Sequence, residues 1–392
     1  MSIITKCENY DDAKKVMALG NYPYFRVISS DQDTEVEING KKMLMLGSNS
    51  YLGLTNHPDV KAAAIEATKK YGTGCAGSRF LNGTLDIHIE LEKELAELVG
   101  KDASLVFATG YQANLGAISA LVSRNEYIIT DKLDHASILD GARLSFGKML
   151  RFNHNNMDSL EKTLQRIKDK NTLIVVDGIF SMEGDIADLP NIVKLAKKYD
   201  ANIMVDEAHS IGVLPEDGAG VAKYFNVSDD VDIIMGTFSK SLASVGGFIA
   251  ADNDTIHFLK HHARSLIFSA SLPPASAASV LKALNIMKKE PERIDKLWDN
   301  TNYMAAGFKD MGFDIGTSCT PVIPLHVGNM KNAFQMWKGL AREGVFINPV
   351  VPPAVPPNDT LIRTSFMATH SKKQLNTALL KFEKIGKKLG II

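Results

Sequence analysis

From Ala103 onward, short apolar runs alternate with stretches of helical periodicity, and this alternation limits the fold more than any other feature of the chain. Ser104–Phe107, Tyr127–Thr130, Thr172–Val176 and Asn202–Val205 are four such runs. Strands apolar on both faces need helices to cover them, so the pattern predicts a doubly wound α/β domain with a mostly parallel central sheet flanked by helices. Two more runs, Val231–Met235 and Val245–Ala251, read as buried strands joined by Gly236-Thr237-Phe238-Ser239-Lys240-Ser241.

A lysine in a short, hydroxyl-rich loop between buried strands is unusual. Burial disfavours its charge and leaves an amine that can attack an aldehyde, while Thr237, Ser239 and Ser241 offer donors to a phosphate. Together these suggest a pyridoxal phosphate (PLP) site with Lys240 as its covalent attachment, provided a partner exists for the pyridine nitrogen. Asp206, at the carboxyl end of Asn202–Val205, is placed where open α/β sheets bind ligands, and His209 stands beside it. The alternative for this pair is a helix cap and a space-filling histidine.

Other strand ends add candidates. Gly110 and Tyr111 open a helix whose free amides suit a phosphate, although a plain cap has the same sequence. His135, in Asp134-His135-Ala136-Ser137, can lie over a planar cofactor, and Ser181 can reach its phenolic oxygen. Arg363, in the strand-like Leu361–Ser365, suits a substrate carboxylate or a structural ion pair. Asn49 lies in a polar, glycine-bounded segment of the kind that lines a site.

The 392 residues carry 44 Lys+Arg against 45 Asp+Glu, without a long basic block, which argues against nucleic acid as a partner. Cys7, Cys75 and Cys319 are far apart and form neither a disulfide framework nor a zinc motif. The expected setting is the cytoplasm, with membrane contact at most peripheral, because the sequence shows no signal pattern and no spanning run of ~20 apolar residues. Gly72-Thr73-Gly74-Cys75-Ala76-Gly77 satisfies GxGxxG, which would suit a dinucleotide-binding oxidoreductase. It follows a helical pattern instead of a strand, and a loop approached by another backbone or subunit is the better reading.

The organisation expected is an N-terminal segment over 1–46 (a helix from Glu8 to Leu19 and a hairpin turning at Asn39-Gly40), a large cofactor-binding domain over 47–274, and a smaller C-terminal α+β domain over 275–392. His257, His261 and His262 lack a third metal ligand and read as helix surface. The proline-rich run 348–357 reads as a semi-rigid covering loop.

The segments Asn49–Gly53, Gly72–Phe80, Thr109–Tyr111, Asp134–Ser137, Ser181–Asp185, Asp206–Ser210, Gly236–Ser241 and Phe268–Pro274 together resemble the α-oxoamine synthase family of fold-type I PLP enzymes, in register from about Gly20 to His370. The Thr-Phe-Ser-Lys-Ser loop and the Pro-Pro-Ala-Val-Pro run are most similar to the bacterial members that use serine. The resemblance implies decarboxylative condensation of L-serine with a long-chain acyl-CoA such as palmitoyl-CoA, giving 3-ketosphinganine, coenzyme A and carbon dioxide. Glycine, alanine or cysteate are alternative substrates, and a cofactor-free partner subunit is a distant alternative. It further implies that Lys240, His135 and Asp206 are catalytic and that His209 and Ser181 hold the phenolic oxygen. Gly110, Tyr111, Thr237 and Ser239 would bind phosphate, Asn49, His135 and Arg363 would receive substrate, and Ser269 would reach the phosphate in the neighbouring subunit of a homodimer. Where some relatives carry an arginine before Pro-Pro-Ala, this chain has Val350 and Val351.

Overall fold

The computed structural model describes residues 3–214, 217–352, 354–356 and 358–392. Its strands are β1 (Glu35–Ile38), β2 (Lys41–Met45), β3 (Ala103–Phe107), β4 (Tyr127–Asp131), β5 (Lys148–Phe152), β6 (Thr172–Asp177), β7 (Asn202–Asp206), β8 (Ile233–Thr237), β9 (Gly247–Ala251), β10 (Val322–His326), β11 (Val345–Phe346), β12 (Asn348–Val350) and β13 (Leu361–Ser365). Seven of them form the central sheet in the order β3-β9-β8-β7-β6-β4-β5. Strands β4 to β8 are mutually parallel, and β9 runs antiparallel to both β3 and β8.

Both faces of this sheet are packed, which is why its strands read as unbroken apolar runs. Leu105, Leu173, Val175 and Met204 enter one core, beneath the helices Gly110–Leu121, Ala136–Leu144 and Asn253–His262. Their neighbours Val106, Ile174, Ile203 and Val205 enter the other, with the helices Asp86–Val99, Leu189–Tyr199 and Pro274–Lys289. The register places Asp177 opposite Asp206 and Asp206 opposite Met235, so the strands deliver their polar ends to one row. Edge strand β5, Lys-Met-Leu-Arg-Phe, has no apolar run because only Phe152 is fully buried.

The hairpin of β1 and β2 turns at Asn39 and Gly40, with φ of 52° and 72°, the mirror-image turn that Asn-Gly favours. The N-terminal helix expected over Glu8–Leu19 is instead two short ones, Thr5–Glu8 and Asp12–Ala18. A second sheet, β10-β13-β12, is antiparallel and packs against a separate core with the helices Met330–Arg342 and Lys372–Leu389. Helix Pro274–Lys289, assigned from sequence to the second unit, buries Ala277, Val280, Ala283 and Leu284 in the core of the first. The next helix, Glu292–Asp310, places Ile294 and Leu297 there and Met304 and Phe308 in the second core.

Asn348–Val350, read as part of a covering loop, forms strand β12 at a sheet edge, where the missing amide of Pro349 costs no central ladder bond. Pro353 and Pro357 of the same run lie outside the described residues. Gly72–Gly77 forms a loop after helix Pro58–Tyr71, and a Cβ on Gly77 would collide with the Asn82 side chain. His261 and His262 are exposed, each ring bonded to a helix carbonyl four residues back.

Candidate active site

At the carboxyl ends of β6, β7 and β8 lies a cavity of about 310 Å³ whose walls include Gly110, Tyr111, His135, Ser181, Asp206 and His209, with Thr237, Ser239 and Lys240 closing it. Nine of the residues expected from sequence therefore meet in one place. Asn49, Ser269 and Arg363 lie outside its walls.

Lys240 sits in the loop joining β8 to β9. Its residue keeps intermediate surface exposure because it opens to the cavity, yet it is densely surrounded by protein. Burial lowers its pKa to about 8, with Asp206 and Asp177 opposing the shift and Arg363 adding to it. Asp206, buried at the end of β7, accepts from Asn114 Nδ2 at 2.7 Å and from the Ala208 amide at 2.9 Å. Asp177 accepts the His135 amide at 3.0 Å; burial raises its pKa well above the carboxylate range, with the charges of Asp206 and Asp134 adding to this.

At the other end, Thr109 caps helix Gly110–Leu121 by accepting from the Gln112 amide, leaving the Gly110 and Tyr111 amides at the open helix end. A Cβ on Gly110 would stand 2.7 Å from Thr237 Oγ1, so glycine is what lets the helix end approach the hydroxyls of Thr237 and Ser239, themselves 3.0 Å apart. An amine with lowered pKa, a buried carboxylate and an amide-and-hydroxyl cradle around one cavity fit pyridoxal phosphate.

His209 Nδ1 lies 2.7 Å from the buried Tyr51 hydroxyl. Burial, then the charges of Lys240 and Arg363, hold its pKa well below the ordinary value. Arg363, 6% exposed, donates from Nε to the Ser181 carbonyl at 2.7 Å and from Nη2 to Asn49 Oδ1 at 3.0 Å. Among the described residues it forms no ion pair with a carboxylate. A buried guanidinium held by neutral groups keeps an uncompensated positive charge, which suits an anion. Ser269 is half-buried and accepts from Gln112 Nε2 at 3.0 Å within the same chain.

Sequence reasoning passed over Asn114, Tyr51 and Asp177. Asn114 was detectable: it lies four residues after Gly110, and so on the helix face that meets the site.

The aminotransferase class I and II family matches residues 41–382. The serine palmitoyltransferase of Sphingobacterium spiritivorum is 55% identical over 387 residues, 98% of this chain and 97% of that one. The 8-amino-7-oxononanoate synthase of Thermoanaerobacter pseudethanolicus is 44% identical over 98% of this chain and 97% of its own. Among solved structures, a serine palmitoyltransferase variant from S. paucimobilis with bound PLP-myriocin superposes with a TM-score of 0.97 at 36% identity, over the whole of both chains.

Proposed function

Since this chain belongs to the class I and II aminotransferase family, and within it to the fold-type I α-oxoamine synthases, we propose that it is a PLP-dependent acyltransferase that condenses L-serine with a long-chain acyl-CoA, releasing coenzyme A and carbon dioxide. The observation that carries this reading is the 55% identity to a serine palmitoyltransferase over nearly the full chain, against 44% to an 8-amino-7-oxononanoate synthase.

Bound PLP supplies an electron sink that stabilises negative charge at the amino-acid Cα. Lys240 would hold the cofactor, and its Nζ would take the Cα proton. An amine with pKa about 8 is free to do so in an appreciable fraction of molecules near neutrality. Asp206 would hold the ring nitrogen protonated, and the His209–Tyr51 pair and Ser181 would steady the phenolic oxygen. Gly110, Tyr111, Thr237 and Ser239 would receive the phosphate. Asn49 and Arg363, bonded to each other, would orient the serine carboxylate, and His135 would lie beside the ring and support the oxyanion on the thioester carbonyl.

The proposal includes a homodimer with a shared site. Phe80, Leu81 and Phe268 are 49%, 78% and 74% exposed, on loops tied together by Ser271 through its bonds to the Gly77 and Gly83 carbonyls. An apolar patch beside Ser269 suits a second copy of the chain. The proposed setting is the cytoplasm with at most peripheral membrane contact; among the described residues no helix is long and apolar enough to cross a membrane.

The test is coenzyme A release by PLP-loaded protein with palmitoyl-CoA and, in parallel, L-serine, glycine, L-alanine and L-cysteate. Preference for serine is expected. Preference for another amino acid would retain the chemistry and reject the substrate.

A further inference from the structure

Asn114 is fully buried, and its amide meets two groups at once: Nδ2 lies 2.7 Å from Asp206 Oδ2 and 2.8 Å from Ser137 Oγ. A carboxylate only accepts, so the amide nitrogen, and not its oxygen, must face Asp206. The second amide hydrogen then goes to Ser137 Oγ, which accepts it. Ser137 keeps its own proton for the next neighbour, His135 Nδ1, at 2.7 Å. The Ser137 amide points at the same nitrogen from 3.2 Å, making His135 the cap of helix Ala136–Leu144.

A ring nitrogen that receives two donors cannot carry a hydrogen. The imidazole proton therefore sits on Nε2. Protonating Nδ1 as well would set an N–H against two donors at the positive end of a helix. Of the groups facing the ring, Asp206 favours the charged form and Lys240 opposes it, while the Tyr111 ring stands nearly perpendicular with centroids 6.4 Å apart and Asp177 accepts the His135 backbone amide. His209 lies close enough for its own pKa to feel His135. Burial is the largest influence on His135 and lowers its pKa. The Oδ1 of Asn114 is buried with no partner among the described residues, a cost explained by the use of both amide hydrogens elsewhere.

We propose that Asn114 and Ser137 are positioning residues that fix His135 as a neutral imidazole protonated at Nε2, so that it meets the substrate as a hydrogen-bond donor and not as an acid. A neutral donor can stabilise an oxyanion or a carboxylate without surrendering a proton that must then be recovered. What the ring donates to rests on the function proposed above; the ring's protonation state does not.

The experiment is nitrogen NMR of protein labelled in histidine, with and without bound PLP, assigning His135 by the signal lost in His135→Gln. The expected spectrum shows an unprotonated Nδ1 and a protonated Nε2 from about pH 6 to about pH 8, a range that spans the ordinary histidine pKa. Ser137→Ala and Asn114→Ala should each give mixed tautomers and let the imidazolium appear at higher pH, and Ser137→Thr should restore the single tautomer. In turnover with serine and palmitoyl-CoA, Ser137→Ala should lower kcat ~10-fold while KM for serine stays within ~3-fold. If Asn114→Ala does not fold, Ser137→Ala alone decides. A protonated Nδ1 in the wild type, or a Ser137→Ala variant with unchanged ring signals, overturns the proposal. A wild type that shows the expected tautomer but releases no coenzyme A supports the ring assignment and rejects the reaction.

Discussion

His154 bridges two carboxylates, with Nδ1 3.0 Å from Asp131 Oδ1 and Nε2 2.9 Å from Asp185 Oδ2. It thereby ties the end of β4 to the turn that carries Ser181. Burial alone would lower its pKa, but the hydrogen bonds to Asp131 and Asp185, with their charges, outweigh that and raise it from 6.5 to about 10. Between those values the folded protein holds a proton that the unfolded chain has lost, so the stabilisation is complete below pH 6.5 and disappears as pH rises through about 10. Full linkage would remove about 1.4 kcal/mol per pH unit across this window. With the side chain 24% exposed, solvent screening reduces this to ~0.5–1 kcal/mol per unit.

Replacing His154 by glutamine leaves two poorly compensated carboxylates and should cost ~2–4 kcal/mol at about pH 6. The difference between wild type and His154→Gln should then shrink by ~1–2 kcal/mol from about pH 7 to about pH 9. Urea unfolding of both proteins at each pH, followed by tryptophan fluorescence, reads that difference, and groups titrating alike in both cancel. A difference that stays constant, or grows with alkalinity, would refute a charged His154 in the folded state.

Three further outcomes are expected. Lys240→Ala should hold no covalently bound cofactor, and persistence of the wild-type visible absorbance would remove Lys240 from that role. Arg363→Gln should raise KM for serine ~30-fold or more, as expected for a lost charge-assisted contact, whereas an unchanged KM would make the guanidinium structural. Gly110→Ala should weaken PLP binding ~10-fold with the fold retained, since the new Cβ would press on Thr237 at 2.7 Å; equilibrium dialysis with PLP would show whether the cradle tolerates it.

What could be read in advance follows from where each signal resides. Six of the seven strands of the central sheet were legible because they are covered on both faces, and their ends gave Asp206, Lys240 and Gly110 directly. Strand β5 was not, because an edge strand with an exposed lysine and arginine carries no apolar run. The N-terminal helix was overextended since the periodicity does not register the break at Asn9–Asp11. Among site residues, those whose side chains face the cavity stood out by chemical type. Asn114 and Ser137 act by touching other side chains; the spacing of Asn114 from Gly110 hints at its face, but its partners, 92 and 23 residues away, leave no local trace. The meeting of Asn49 with Arg363, 314 residues apart, is likewise a property of the assembled fold.

The antiparallel strand β9 sets how the reactive amine can travel. In a parallel α/β unit the segment after a strand leads away into a helix and is free to swing. Here the chain turns back at once, with Thr237 opposite Gly247 at the neck. Phe238 and Gly246 close the next rung at 3.0 Å, and the Ser244 amide bonds the Phe238 carbonyl at 3.0 Å. The neck is further gripped by the Phe238 and Phe248 rings, stacked 6.0 Å apart. Moving this loop would mean unzipping the end of the sheet. The backbone of Lys240 is therefore a fixed post, and in the proposed reaction the displacement of Nζ between cofactor and substrate would come from rotation about the four methylenes of its side chain.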